Sequence, residues 1–173
     1  TDGSFEENNV YTDWASIGLV AGNVSDSVKN NILNYLSAHN TVSSVQTDNE
    51  RRVMALLALN QNPYSFHGSD FVTPIVHSFD GTQIGDAHLD NDDIFGLIVL
   101  PSAGYTTNDE IISKTISFVI SAQLPNGSWN NSVDMTSASI QALSQFSSFT
   151  GVNSSLTSAG NYIANAQSND GGW

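Results

Sequence analysis

At 173 residues the chain is long enough to bury roughly 70% of its unfolded surface around one core. Seventeen acidic against four basic residues give a formal charge of −13, which excludes a phosphate backbone as partner, because nothing here could displace its counterions. Zero cysteines exclude disulfides and thiolate metal sites, and no apolar run reaches the roughly eighteen residues of a membrane span.

The elements alternate between two kinds along the chain. "TDWASIGLV" (12–20) is an apolar segment, and "SDSVKNNILNYL" after it sets Val28, Ile32 and Tyr35 on one helical face. "TDNERRVMALLAL" (47–59) is again apolar. Its follower, "SDFVTPIVHSF" (69–79), contains Pro74, which lacks a backbone donor, so that helix is short or starts late. "NDDIFGLIVL" (91–100) precedes "TNDEIISKTISFVI", with Ile112, Ile116 and Val119 in register. "DMTSASIQAL" (134–143) precedes "NSSLTSAGNYIANA", with Leu156, Ala159 and Ile163.

The first kind, apolar nearly all round, reads as inner helices packed on both sides; the second reads as outer helices with one wet face. The inner segments carry Asp13, Asp48, Asp92 and Asp134 at their starts, spaced by 35, 44 and 42 residues. The pattern predicts an all-α chain of about four antiparallel helical hairpins in a single domain, 1–173. Thr47-x-x-Glu50 and Thr107-x-x-Glu110 fit capping boxes, and Ser25 or Asp26 can cap the first outer helix. A surface filled by Ser, Asn and Thr in place of Lys, with sequons at Asn23, Asn126, Asn130 and Asn153, suits an extracellular or cell-surface setting.

Two stretches share a tail: "FVISAQLPNGSW" (118–129) and "YIANAQSNDGGW" (162–173). Both read aromatic, aliphatic, three residues, Gln, three residues, Gly, one residue, Trp. Phe118, Val119, Gln123, Gly127 and Trp129 make one copy; Ala159, Tyr162, Ile163, Gln167, Gly171 and Trp173 make the other. "YLSAHN" (35–40), with Asn40 for Gln, and "DGSF" (2–5) are degenerate echoes. The tail resembles the QW motif of the terpenoid cyclase and protein prenyltransferase superfamily, including squalene cyclase-like repeats. Thr115 departs from its small-residue position, and the second copy lacks its basic residue.

That resemblance implies part of an α-α toroid, in which the motif joins an outer helix to the next inner one. The Gln amide would tie helix ends, Gly would allow a positive-φ turn, and Trp would pack between hairpins. A full toroid of this kind takes about six hairpins. The chain therefore reads as an arc belonging to a longer protein, with an adjoining domain or a second copy of itself to close it.

Asp90-Asn91-Asp92-Asp93 matches the DxDD motif of class II terpene cyclases. By that resemblance Asp92, supported by Asp90 and Asp93, would be a general acid. The competing reading is helix capping, because Asp92 occupies the inner-helix position that Asp13, Asp48 and Asp134 share. The zinc set of the prenyltransferases and the thioester pair of the complement domains both need the absent Cys. His39, His67, His77 and His88 are scattered, leaving at most a weak cation site where His77 and His88 flank Asp80 and Asp86. No cofactor or metal is implied.

Non-enzymatic members of the fold include the helical domains of corrinoid carriers. By that resemblance the inner-helix starts, Asp13, Trp14, Asp48, Asn49, Asp92, Asp93 and Asp134, would form a polar, acidic ring around one mouth. The expected function is a non-catalytic ligand-binding or scaffold module of an exported protein, taking a small molecule, corrinoid or saccharide. A terpene cyclase or prenyltransferase-like enzyme fragment is the alternative.

Overall fold

The 3–4 spacing in "TNDEIISKTISFVI" becomes a helix on which Ile112, Ile116 and Val119 are fully buried one above another. Each such side chain contributes about 1.5–3 kcal/mol relative to leaving it in water. The computed structural model describes residues 2–173. Among the described residues the same logic yields eight α-helices and no β-strand. They are α1 (Asn9–Ala21), α2 (Asp26–Ala38), α3 (Gln46–Ala58), α4 (Thr73–His77), α5 (Asp90–Val99), α6 (Glu110–Ser121), α7 (Val133–Ser144) and α8 (Val152–Ala166). The chain is all-α, and among the described residues no helix is long and apolar enough to cross a membrane.

Contacts divide it into two compact units, Thr1–Ser78 and Phe79–Trp173. In the first, α1 lies along α3 and also touches α2, while the short α4 packs on α3. Ile32, Leu36, Val53, Leu56, Phe71 and Ile75 form its core. Pro74 sits in the first turn of α4, where a missing N–H costs nothing, and Asp70 accepts from the amides of Val72 and Thr73. In the second unit α7 packs against both α5 and α8, and α6 against α5. Its core holds Ile84, Ile94, Leu97, Ile116, Trp129 and Leu143.

The two QW-like corners share two bonds. Gln123 Nε2 donates to the Gly127 carbonyl at 2.8 Å, and Gln167 Nε2 to that of Gly171 at 2.9 Å. The indole of Trp129 donates to Val119 at 2.8 Å, and that of Trp173 to Ile163 at 2.9 Å. Their surroundings differ, because Trp129 is fully buried whereas Trp173 is 65% exposed. The echo "DGSF" also finds a counterpart. Phe5 N donates to Thr12 Oγ1 at 3.0 Å, as Trp129 N does to Thr136 Oγ1 at 3.1 Å, and both hydroxyls bond back one helical turn. Asn40, in the place of Gln, donates to the His67 carbonyl at 2.9 Å.

Three expectations are corrected. Neither capping box forms: α3 begins at Gln46, which puts Thr47 inside the helix, and α6 begins at Glu110, after an Asp109 whose carboxylate turns back to Thr106. The helices with side-chain caps from their N-cap residues are α1, through Asn8, and α7, through Ser132. Three of the inner-helix aspartates do not cap either, because Asp13 is held by Arg51 and Arg52, Asp48 by Arg51 and Ser43, and Asp92 by the Asp86 amide. Finally, α1 is not apolar all round where it packs. It buries Thr12, Asp13 and Ser16, which need polar partners, and leaves Val10, Tyr11 and Trp14 exposed.

Candidate functional site

Arg51 and Arg52 are neighbours on α3, and both reach the same carboxylate on α1. Arg52 Nε donates to Asp13 Oδ1 at 2.8 Å, and Arg51 Nε stands 3.4 Å from Asp13 Oδ2. Asp13 is 1% exposed, so this is a buried ion pair. Removing either charge from such a pair leaves the other stranded, at a cost of about 3–5 kcal/mol. Arg52 also donates to the His39 carbonyl at 3.0 Å and covers the Phe71 ring, 5.6 Å from its centroid. Arg51 is braced from its own helix by Asp48 Oδ1 at 2.8 Å, whose other oxygen accepts from Ser43 Oγ at 2.9 Å.

Burial pushes the Asp13 carboxyl above its ordinary range, although Arg52 and Arg51 pull the other way. Burial also acts on Asp48, but the bonds from Arg51 and Ser43 outweigh it and hold that carboxyl below the usual range. Over this cluster opens a cavity of about 240 Å³, lined by Asp13, Asp48, Asn49, Arg51, Arg52 and Phe71 among others. It is smaller than a typical drug-sized pocket, with room for a compact molecule, and it presents hydrogen-bonding groups beside apolar surface.

The structure thus brings Asp13, Asp48 and Asn49 together and corrects the expected acidic character of their surroundings. Both arginines of the chain stand among them, so the lining carries as many positive as negative charges. Trp14, also expected there, is 45% exposed and lines a separate hollow with Phe5, Glu6, Tyr11 and Ala15. Sequence reasoning missed Arg51, Arg52 and Phe71. The available signal was an adjacent Arg pair inside an otherwise apolar helix, in a chain with only four basic residues.

The remaining expected residues belong to the second unit. Asp92 Oδ2 accepts from Asp86 N at 3.0 Å, and Asp93 Oδ1 from Ile84 N at 2.7 Å. Both fasten the 83–86 loop to α5. Burial raises Asp92 above its ordinary range, against the Asp86 amide. Asp93 is pushed up to about 7, by burial first and by Asp90, Asp92 and Asp80 as well, with the Ile84 amide opposing. Asp90 is raised by burial, against a bond from Asn130. Asp134 is exposed in the first turn of α7, where the helix dipole favours it.

The suggested cation site does not assemble. Asp80 accepts from the Thr82 and Gln83 amides, and Asp86 from His88. Among the described residues no three His, Cys, Asp or Glu gather in a way that could hold a metal. No protein-family model, curated protein or solved structure matches the chain.

Proposed function

We propose that the protein is a non-catalytic binding module for a small polar molecule, part of an exported or cell-surface protein. Its architecture, on this reading, is an arc of an α-α toroid similar to the squalene cyclase and prenyltransferase folds. The observation that carries the binding role is the buried Asp13–Arg51–Arg52 cluster, with the half-exposed Asp48 at its edge, open to a cavity beside Asn49. Buried ion pairs add little net stability over apolar packing of the same volume. A cluster that also lines a cavity is better accounted for by recognition. Support for the toroid is local, and comes from the matching bonds of the Gln123 and Gln167 corners and the Thr12 and Thr136 turns.

Calorimetric titration of the whole chain with neutral and acidic monosaccharides, small carboxylates and a corrinoid tests this reading. Binding that disappears in Asp48→Asn, with helical content unchanged, is the expected result. Silence across the panel sinks it.

The enzyme alternative draws support from one observation, the carboxyls of Asp92 and Asp93 raised by burial. Against it, both carboxyls already hold loop amides. Incubation with squalene or geranylgeranyl diphosphate, comparing wild type with Asp92→Asn, decides the matter. Absence of cyclised product from the wild type removes the alternative. Sedimentation velocity reports directly whether the exposed Tyr11 and Trp14 face pairs with a second copy.

A further inference from the structure

We propose that the ligand of the α1–α3 cavity is a carboxylate, received by the guanidinium of Arg51; the inference rests on the reading of that cavity as the binding site. The argument is a census of donors and acceptors. Asp13 Oδ1 is taken by Arg52, Asp48 Oδ1 by Arg51 and Asp48 Oδ2 by Ser43 Oγ. Asn49 spends its carbonyl and its amide on the backbone of Ser43, at 2.9 Å each. The acceptors of the lining are therefore largely engaged.

The donors are not. A guanidinium offers five N–H groups; of those of Arg51 only one on Nη2 makes a hydrogen bond, to Asp48 Oδ1, while Nε faces Asp13 Oδ2 at 3.4 Å, which leaves the Nη1 side for an incoming acceptor. Arg51 as a whole is only 9% exposed, so bulk water does not freely supply the missing acceptors. A buried donor left unmade is unfavourable, and a ligand bringing acceptor oxygens removes that penalty.

A carboxylate suits the vacancy by shape and by charge. Two coplanar oxygens match the planar edge of a guanidinium, which point-like acceptors do not. The lining charges cancel, Asp13 and Asp48 against Arg51 and Arg52, so one added negative charge meets no local excess. A phosphate group adds more negative charge to a chain already at −13. Asp48 braces the Arg51 side chain from below, which fixes the fork before the ligand arrives.

Glucuronate and glucose are the probes, since they share a ring and differ by the carboxylate. Titrated into the whole chain, glucuronate is expected to bind at least about tenfold more tightly, the difference that a charge-assisted hydrogen bond makes. Arg51→Gln is expected to abolish the preference, and Arg51→Lys to retain only part of it. Should Arg51→Gln fail to fold, the Arg51 Nε–Hε resonance of the wild type gives the same answer, shifting with glucuronate and not with glucose. Equal affinity for the two sugars, or a preference that survives in Arg51→Gln, overturns the carboxylate assignment and leaves the cavity standing as a binding site. Silence from glucuronate, acetate and succinate while glucose binds does the same. Silence from every probe overturns both.

Discussion

The side-chain amide of Gln123 donates to the Ser155 carbonyl on α8, 3.0 Å away, while also holding the Gly127 carbonyl at 2.8 Å. One amide thus ties the end of α6, the turn after it and the neighbouring outer helix. Changing Gln123 to Glu keeps the shape but replaces the donor with an acceptor facing two carbonyls. A loss of about 2–4 kcal/mol is expected, from two lost bonds and the repulsion left behind. The same change at Gln167 is expected to cost much less, because that corner is exposed and bonds only within itself. Urea unfolding of the two variants measures the difference, and equal losses would count against Gln123 as an inter-helix tie.

Gly127 has φ +89°, and a Cβ placed there would stand 2.3 Å from the Ser158 carbonyl oxygen. Gly171 has nearly the same φ, +88°, with nothing within 4 Å of the added atom. Alanine at Gly171 therefore carries only the left-handed backbone penalty, about 1 kcal/mol. At Gly127 the turn must also move away from α8, so the expected cost is about 3 kcal/mol or more. Thermal unfolding of the two alanine variants isolates the helix contact, since the backbone term is common to both.

Asp93 gives the pH dependence a definite sign. Its carboxyl is raised from 3.8 to about 7, so between those values the folded chain holds a proton that the unfolded chain has released. Stability from this group is greatest at the acid end, declines as the pH climbs through that interval, and is flat above it. Asp93→Asn keeps an oxygen for the Ile84 amide and removes the ionisation. The variant is expected to match the wild type near pH 4 and to exceed it near pH 8, on the order of a few kcal/mol. Urea midpoints at the two pH values check this. Parallel decline of both proteins would show that the buried carboxyl is not the cause.

The helices were legible because Ile112, Ile116 and Val119 repeat at a spacing that only a helix turns to one side. The corner was legible because Gln and Trp stand at fixed offsets from a glycine, a local signal repeated in two places. What was not legible depends on partners far along the chain. Arg52 meets Asp13 across 39 residues, and nothing within either segment names the other. The misread caps have a related origin. Asp92 and Asp93 look like the start of a helix because they are one, yet their acceptor capacity goes to a loop. That loop reaches them through Gly85, whose φ of +75° lets the backbone pass against Asp92.

Glu6 and Glu7 sit where most side chains are unfavourable, at φ 56° and 51°. They are the central residues of a turn closed by Asn8 N donating to the Phe5 carbonyl at 3.1 Å. Two other turns have the same form: Trp129–Ser132, with Asn130 and Asn131 at φ 55° and 53°, and Phe66–Ser69, with His67 and Gly68 at 48° and 86°. Two successive positive φ values with this bond define a type I′ turn, for which Asn and Gly are preferred. Glutamate offers no such tolerance, and the pair adds repulsion between adjacent carboxylates. Replacing Glu6–Glu7 with Asn–Gly is therefore expected to stabilise the protein by about 1–2 kcal/mol. Asn131→Gly is expected to change it far less, since Asn already accepts the left-handed region. A rise in melting temperature confined to the first variant supports the assignment. A fall there would mean that the two glutamates hold the turn by contacts beyond its backbone geometry.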